Sequence, residues 1–243
     1  MLRFSWDVAV GLSCGCRAGQ PRNATSHAIH NYLGREGIAP ADFLQIGREQ
    51  LHPYTTVEFR SIEVVDVVRI KNHFTVTLAD QTAVDTRTLL LATGVVDHLP
   101  PLQGIEQFFG QSIFNCPYCD AWEVRDQPLA VYGKGSSAWQ MTFRLWQWNH
   151  DLVLCTDGPS ELKPGEISLL KRRALPVYEE PIASLDGIDG QLTHIVFANG
   201  EKLMRRALFL RADGQPRNVL PDKAWLSTID AWYQLALTAE IFT

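Results

Sequence analysis

One segment constrains the fold of this chain more than any other, because two apolar stretches flank a glycine turn and a helical stripe. Leu129 to Tyr132 predicts a strand, and Gly133-Lys134-Gly135 follows it directly. Apolar residues at helical spacing come next: Ala138, Met141, Leu145 and Trp148. Leu152 to Cys155 then predicts a second strand. Strand, glycine turn, helix and strand within about 30 residues is the size of a parallel crossover unit, which indicates an α/β fold.

The glycine turn carries the residue types that a dinucleotide needs. Gly133 permits the tight strand-to-helix turn, Gly135 lets a pyrophosphate approach the helix N-terminus, and Ala138 keeps the helix close to the sheet. Asp157, just after the second strand, lies where an acidic residue would bind a ribose 2′-hydroxyl, which would favour NADH over NADPH. An ordinary turn at Asp157-Gly158 explains the same aspartate without any ligand.

The sequence Cys116-Pro117-Tyr118-Cys119-Asp120 predicts redox chemistry. Two cysteines separated by two residues can close a small disulfide ring that a thiolate can reopen, and Asp120 could deliver or accept the proton. A buried, unreactive pair is one alternative. A zinc site that adds Cys14 and Cys16 is another, although the spacing of that second pair is short for a zinc knuckle. The histidines show no metal-ligand spacing, and we expect no metal.

Composition excludes other classes of protein. The 22 Lys and Arg residues against 27 Asp and Glu give a net charge of −5, which provides no basic surface for nucleic acid or anionic lipid. No apolar run approaches the roughly 20 residues that span a bilayer. Five cysteines in 243 residues, an odd number in a chain too long to need disulfide staples, favour a reducing, cytoplasmic setting.

The remaining elements follow from periodicity and turn residues. A helix should begin at Pro40, and residues 57 to 91 should form antiparallel strands that end in a doubly covered strand, Leu89 to Ala92. Pro100 and Pro101 indicate a connection between two units. The later elements that we expect are a helix through Ile167, Leu170 and Ala174, a strand at Val177 to Glu179, a turn at Asp186 to Gly190, a strand at Leu192 to Phe197 followed by an Asn199-Gly200 hairpin signal, a strand at Ala207 to Leu210, and a helix with Trp225, Ile229 and Trp232.

Four segments, taken in their order, resemble the low-molecular-weight thioredoxin reductases, which are flavin-dependent pyridine nucleotide-disulfide oxidoreductases. The segments are 18–34, with Gly19-Gln20-Pro21-Arg22-Asn23 and His30-Asn31-Tyr32-Leu33-Gly34; 90–100, with Leu90-Leu91-Ala92-Thr93-Gly94 and Pro100; 116–122; and 129–138. The resemblance covers about residues 18 to 211. It implies an α/β fold in which a Rossmann-like NAD(P)-binding domain is inserted in an FAD-binding domain of the same type.

The resemblance also implies domain boundaries and cofactor residues. It places a partial FAD-binding domain at 1–104, an NAD(P)-binding domain with the redox loop at 105–211, and a C-terminal tail at 212–243. The residues expected to bind FAD are Gly19, Gln20, Asn31, Thr93 and Gly94, and those expected to bind NADPH or NADH are Gly133, Gly135, Ala138 and Asp157.

Two departures from the family concern the flavin domain. The family opens with a strand and a Gly-x-Gly-x-x-Gly turn, whereas Trp6 to Gly11 leads directly here to Ser13-Cys14-Gly15-Cys16. Nothing after Asp213 matches the family's flavin-contacting Gly-Asp segment. We therefore expect an incomplete FAD-binding domain, truncated at both of its ends.

By this resemblance, electrons pass from NAD(P)H through FAD to the Cys116–Cys119 disulfide and on to a substrate disulfide. Cys119 would face the flavin, Cys116 would attack the substrate, and Asp120 would serve as acid and base. The expected substrate is a thioredoxin-like protein or a small-molecule disulfide, and the assembly that we consider is a homodimer. Two alternatives are a nucleotide-binding relic without electron transfer and a simple dithiol protein without flavin.

Overall fold

The computed structural model describes residues 12–223 and places them in two compact units. The first unit contains residues 12–24, 41–97 and 214–223, and the second contains residues 25–40 and 98–213. Two predicted features lie outside the described residues: the stretch from Trp6 to Gly11, and the helix with Trp225, Ile229 and Trp232.

The elements, in chain order, are mostly short. The helices are α1 Pro40–Leu51, α2 Ile105–Phe108, α3 Pro117–Asp120, α4 Gly135–Leu145, α5 Pro164–Arg172 and α6 Leu220–Lys223. The strands are β1 Ser13–Cys16, β2 Val57–Arg60, β3 Val64–Ile70, β4 His73–Leu78, β5 Ala83–Thr86, β6 Val95–His98, β7 Ile113–Phe114, β8 Leu129–Tyr132, β9 Leu152–Cys155, β10 Val177–Tyr178, β11 Ile182–Ile188, β12 Gln191–Phe197, β13 Lys202–Met204, β14 Ala207–Leu210 and β15 Asp213–Pro216.

The first unit is built from small sheets. β1 pairs in parallel with β2, β3-β4-β5 form an antiparallel meander, and β6 lies beside β15. Its core consists of Val67, Val76, Leu78, Leu91 and Leu220. The helix predicted from Pro40 is confirmed, and so are the antiparallel strands over 64–86.

Two expectations about the first unit are wrong. Residues 57–60 pair in parallel with β1 and do not extend the antiparallel meander. Leu89 to Ala92 form no strand, and the chain between Thr86 and Val95 runs without one. Leu91 is buried in the core of the unit while Leu90 is 46% exposed, so this run is covered on one side only and has no paired neighbour on which to form a strand.

The second unit is organised around a parallel sheet of five strands in the order β10-β9-β8-β14-β7. Alternate residues of its strands point to opposite faces. Leu129 and Val131 of β8 pack with the apolar faces of α4 and α5. Ala130, between them, packs on the other face with the antiparallel sheet β11-β12-β13. Coverage of both faces explains why the central strands are apolar throughout, and the layering is that of a Rossmann-type α/β fold.

Most of the elements predicted for this unit are confirmed, with shifted ends. The stripe expected from Ala138 belongs to α4, which starts earlier, directly after the extended Lys134, and ends at Leu145, before Trp148. α5 ends at Arg172, so Ala174 lies beyond it, in a left-handed conformation. The turn expected over Asp186 to Gly190 is tighter, because β11 continues to Ile188.

Candidate active site

The glycine turn has the backbone conformation that its sequence suggests. Gly133 has φ of 144°, and a Cβ placed there would lie 3.3 Å from the Cβ of Ala138, so a larger residue at either position would separate the turn from α4. Gly135 has φ of 59° and opens the helix. Its N–H donates to the carbonyl of Ser160 at 2.8 Å, so a phosphate would meet the next amides of the first turn.

A cavity of about 430 Å³ lies against this turn within the second unit. It is lined by His98, Leu99, Pro100, Tyr132, Gly133, Lys134, Ser137, Ala138, Met141, Arg211 and Asp213. Lys134 supplies a positive charge. Its Nζ lies near Gly158, just after β9, at 3.3 Å from the position that a Cβ would take there. A glycine turn, a helix N-terminus and a lysine at one cavity suit a phosphate-bearing nucleotide.

Asp157 does not reach this cavity. The residue has φ of 50°, one carboxylate oxygen accepts a hydrogen bond from the backbone N–H of Ile182 at 2.7 Å, and the other accepts one from the Tyr132 hydroxyl at 3.4 Å. Both carboxylate oxygens of Asp157 therefore accept hydrogen bonds from groups of the protein itself. This geometry agrees with the turn interpretation of Asp157.

The two cysteines of the redox loop form a disulfide, with their Cα atoms 5.3 Å apart. α3 places them there: Cys116 is the extended residue before the helix, Pro117 begins it, and Cys119 lies one turn later. Cys119 is exposed and Cys116 is half-buried, so the pair is not sealed in a core. A zinc site that uses both sulfurs as thiolates conflicts with this bond. Cys155 is fully buried, and burial raises its pKa to about 12, as expected of an inert thiol.

Asp120, beside the disulfide, has an unusual environment. The pKa of its carboxyl is raised from 3.8 to about 6, mainly by burial; the charge of the nearby His30 lowers it and the charge of Glu123 raises it. A carboxyl of this kind exchanges protons close to neutral pH, which suits acid and base catalysis of thiol exchange.

The contacts of His30 were not anticipated from the sequence. Its Nδ1 lies 2.7 Å from Glu36 and 3.4 Å from Glu123, and Glu36 also accepts the backbone N–H of Asn31 at 2.8 Å. The hydrogen bonds to His30 and Asn31 and the charge of His30 lower the pKa of Glu36. The sequence does not predict this cluster of His30, Glu36 and Glu123, because Glu36 and Glu123 lie far apart along the chain. A turn at 31–37 brings Glu36 to His30, and the segment after the redox loop brings Glu123 there.

Asn31 was expected to bind flavin, but in the structure it belongs to the second unit. Its Nδ2 donates to the backbone carbonyl of Tyr118 at 2.7 Å, inside the redox loop. The side chains of Tyr118 and Trp122, on either side of Cys119, are 63% and 61% exposed. The Arg125 guanidinium lies 4.1 Å from the ring of Trp122. The segment that carries Cys119 therefore exposes two aromatic side chains.

The other residues expected to bind flavin lie in the first unit. Gly19 and Gly94 have positive φ, and Thr93 is half-buried. Arg217 links their segments: its guanidinium donates to the carbonyl of Gln20 at 2.9 Å, and its backbone N–H donates to the carbonyl of Gly94 at 3.2 Å. Within the described residues 12–223, neither of these segments contains a Gly-x-Gly-x-x-Gly turn.

A Rossmann-type sheet with a glycine turn at a cavity and an exposed Cys-x-x-Cys disulfide in one unit is typical of the nucleotide-dependent disulfide oxidoreductases. The family model "Pyridine nucleotide-disulphide oxidoreductase" matches residues 14–183. The chain belongs to this family, and within it to the thioredoxin reductase-like proteins.

Relatives and solved structures agree with this placement. Thioredoxin reductase tcpT of Claviceps purpurea is 32% identical over 220 residues, 84% of this chain and 67% of that protein. Thioredoxin reductase of Mycolicibacterium smegmatis is 30% identical and is matched over 62% of this chain and 48% of its own. The crystal structure of HlmI has a TM-score of 0.81 at 34% identity and covers 86% of this chain and 66% of its own. An oxidoreductase from Agrobacterium tumefaciens has a TM-score of 0.80 at 25% identity, with coverage of 86% and 70%.

The chain spans 39% to 67% of the length of three curated relatives that it matches. In the part of the chain that the structure describes, no helix has the length and apolar content needed to cross a membrane.

Proposed function

We propose that this protein is an NAD(P)H-dependent oxidoreductase that delivers electrons to a disulfide substrate through Cys116 and Cys119. The observation that carries the proposal is the exposed Cys116–Cys119 disulfide beside Asp120, in the same unit as the glycine-turn cavity. The nucleotide-binding part is residues 105–211, the flavin-binding part is 1–104, and 212–243 replaces or retains a remnant of the second flavin segment.

The nucleotide fits the residues present. Gly133 and Ala138 keep the turn close to α4, the first turn of α4 accepts a phosphate, and Lys134 contributes a positive charge. FAD, when bound, supplies the two-electron relay between a nicotinamide hydride and a disulfide. Gly19, Gln20, Thr93 and Gly94 are the residues of the first unit that would contact it.

Transfer to the substrate is a thiol–disulfide exchange between the reduced loop and a substrate disulfide. The Cys116 thiolate attacks one substrate sulfur, the substrate S–S bond breaks, and a mixed disulfide forms as the first substrate thiolate leaves. The Cys119 thiolate then attacks the Cys116 sulfur and expels the second substrate thiolate, which restores the Cys116–Cys119 bond. Asp120 accepts the thiol proton or returns one to a leaving thiolate.

The order of attack is testable, because Cys119 is more exposed than Cys116. The variant that keeps the attacking cysteine and lacks its partner accumulates the mixed disulfide. We expect Cys119→Ser to trap a chromogenic disulfide covalently on Cys116, and Cys116→Ser to trap it far more slowly. Faster trapping by Cys116→Ser would reverse the two roles and leave the overall function intact.

The function itself is tested by turnover. The purified protein, with and without added FAD, is examined for flavin absorbance and for oxidation of NADPH or NADH with a disulfide acceptor. We expect turnover that depends on FAD and is abolished in Cys116→Ser, and Cys155→Ser serves as the control because Cys155 is buried in a core strand. A chain without flavin absorbance and without turnover is not the proposed enzyme.

A second candidate function is nucleotide binding without electron transfer. The bonds of Arg217 to Gln20 and Gly94 favour it, because they occupy two carbonyls in the expected flavin segments. This candidate predicts that calorimetry detects NADPH binding, that added FAD does not bind, and that Cys116→Ser changes no rate.

The substrate and the setting are further parts of the proposal. Tyr118 and Trp122, close to Cys119 in the sequence, expose aromatic surfaces that suit a thioredoxin-like protein or a small apolar disulfide. A homodimer in the cytoplasm is the form in which we expect the protein to act. Turnover with a thioredoxin, compared with turnover on a cyclic small-molecule disulfide, separates the two substrate classes.

A further inference from the structure

A second pair of thiols lies in the first unit, on β1. Cys14 and Cys16 are separated by one residue, so both side chains leave the strand on the same face. Their sulfur atoms are 3.9 Å apart, Cys14 is exposed and Cys16 is half-buried. Neither cysteine has a role in the function proposed above.

The neighbouring strand keeps this pair together. The parallel register places Cys14 opposite Glu58 and Cys16 opposite Arg60, so the four side chains share one face. Gly15 faces the other way, opposite Phe59, and a Cβ at Gly15 would lie 3.0 Å from the Phe59 ring. The absence of a side chain at Gly15 therefore leaves room for the Phe59 ring.

The charges on this face suit thiol chemistry. Arg60 donates hydrogen bonds to Glu58 at 2.8 and 3.2 Å, and its positive charge acts on both cysteines. Burial, followed by the charge of Cys14, raises the pKa of Cys16 to about 11. Cys16 is therefore held as a thiol, while the exposed Cys14 is the sulfur that an external reagent reaches first.

We propose that Cys14 and Cys16 form a second, reversible dithiol–disulfide couple, which is oxidised by low-molecular-weight disulfides and is independent of Cys116 and Cys119. The Cys14 thiolate attacks a disulfide such as oxidised glutathione, whose S–S bond breaks and releases one glutathione thiolate. Cys16 then loses its proton to water, and its thiolate attacks the Cys14 sulfur and expels the second glutathione thiolate. The pair loses two electrons and two protons, and the glutathione disulfide gains them.

Strand geometry predicts that this bond is easily reduced. Two residues of extended chain separate Cα atoms by about 6.4 to 6.8 Å, at the upper end of the separations found in disulfides, about 4.4 to 6.8 Å. The sulfurs can therefore be joined, but only by a bond under strain. Strained, exposed disulfides are the labile ones, so the couple should respond to mild changes in redox conditions.

The test uses the wild-type chain of 243 residues in buffers with graded ratios of reduced to oxidised glutathione. After alkylation of the remaining thiols and trypsin digestion, Cys14 and Cys16 lie together on the peptide 4–17, while Cys116 and Cys119 lie on the peptide 88–125. Mass spectrometry then reports each couple separately. We expect peptide 4–17 to become two hydrogens lighter and free of alkyl groups in oxidising buffer, and to regain both thiols on return to reduced glutathione.

Single variants test the order of the two steps. Cys16→Ser should stop at a stable glutathione adduct on Cys14, whereas Cys14→Ser should be modified much more slowly. Cys155→Ser should behave as the wild type, since Cys155 lies in a buried strand. The double variant Cys116→Ser/Cys119→Ser should leave peptide 4–17 unchanged in behaviour, which separates this couple from the proposed enzyme activity.

Three results would overturn the inference. Peptide 4–17 could remain a dithiol when peptide 88–125 is fully oxidised. It could end with glutathione on Cys14 and no internal bond in the wild type. Finally, metal analysis of the purified protein could find a zinc ion that protects both thiols from alkylation until a chelator is added.

Discussion

Replacing Asp120 with Asn should stabilise the protein at neutral pH and leave it little changed in acid. The folded protein raises the pKa of this carboxyl from 3.8 to about 6, mainly through burial. The folded state therefore binds the Asp120 proton more tightly than the unfolded state does. Stability falls as the pH rises from 3.8 to about 6 and changes no further above it, because the charged form is the one that burial opposes.

The size of the effect follows from the shift. A change of this size corresponds to about 3 kcal/mol if the whole shift is expressed as stability. Water still reaches part of the carboxyl, which reduces the expected effect to about 1–2 kcal/mol. Asn has nearly the same shape and cannot ionise, so the difference between the variant and the wild type should grow by about 1–2 kcal/mol between pH 4 and pH 7.5.

Urea unfolding of both proteins, with the Cys116–Cys119 bond kept oxidised, measures this difference at several pH values. Groups other than Asp120 are present in both proteins, and His30, which opposes the shift, is unchanged. Glu49→Gln is a matched control, because Glu49 is exposed on α1 and should show no such trend. A difference that stays flat with pH, or that favours Asp120 at pH 7.5, would show that burial does not control this carboxyl.

Three further predictions concern the nucleotide site. Lys134→Met should weaken NADPH binding by about tenfold and NADH binding much less, because the amino group lies just after β9, where a Rossmann-type fold would place the ribose. Calorimetry against Lys171→Met checks this, and equal losses for both nucleotides would contradict it. Gly133→Ala should reduce binding of either nucleotide and cost about 1–3 kcal/mol of stability, because φ at Gly133 is 144°. The control Gly47→Ala, in α1, should stabilise the protein by about 0.5–1 kcal/mol. Thermal unfolding of the two variants measures the difference. Asp157→Ala should cost about 1–3 kcal/mol of stability, because the Ile182 N–H loses its acceptor. It should leave the ratio of NADPH to NADH affinity unchanged, and a change in that ratio would support a contact between Asp157 and the ribose.

The crossover unit could be predicted from the sequence because every signal in it is local. Leu129 to Tyr132 is apolar on both faces, and Gly133 and Gly135 are the residues that a turn with positive φ requires. The disulfide could be predicted for the same reason, since one helical turn is enough to bring Cys116 and Cys119 together. The strand predicted at Leu89 to Ala92 was wrong because an apolar run does not reveal whether a second strand is present to pair with it.

The polar contacts depend on segments that meet only in the fold, and Asp157 illustrates the difference. Its position after β9 is the correct one for a ribose contact, and the sequence alone leaves the turn and the ligand interpretations equal. What separates them is the backbone N–H of Ile182, which comes from a later strand and accounts for one carboxylate oxygen. Without the carboxylate this part-buried N–H would lose its partner at a cost in free energy, which favours the turn interpretation of Asp157.

His30 and Asn31 show the same dependence on the fold, because both contact residues in or next to the redox loop. Both belong to a segment that the family resemblance assigns to flavin binding, yet Asn31 holds the carbonyl of Tyr118, and His30 bears on Asp120. The positive charge of a protonated His30 lowers the pKa of Asp120 and so opposes the effect of burial. Removal of this histidine should therefore raise the pH at which Asp120 gives up its proton, and the pH dependence of thiol exchange should move upwards with it. This contribution of His30 depends on where residues 25–40 pack, which the sequence pattern alone does not reveal.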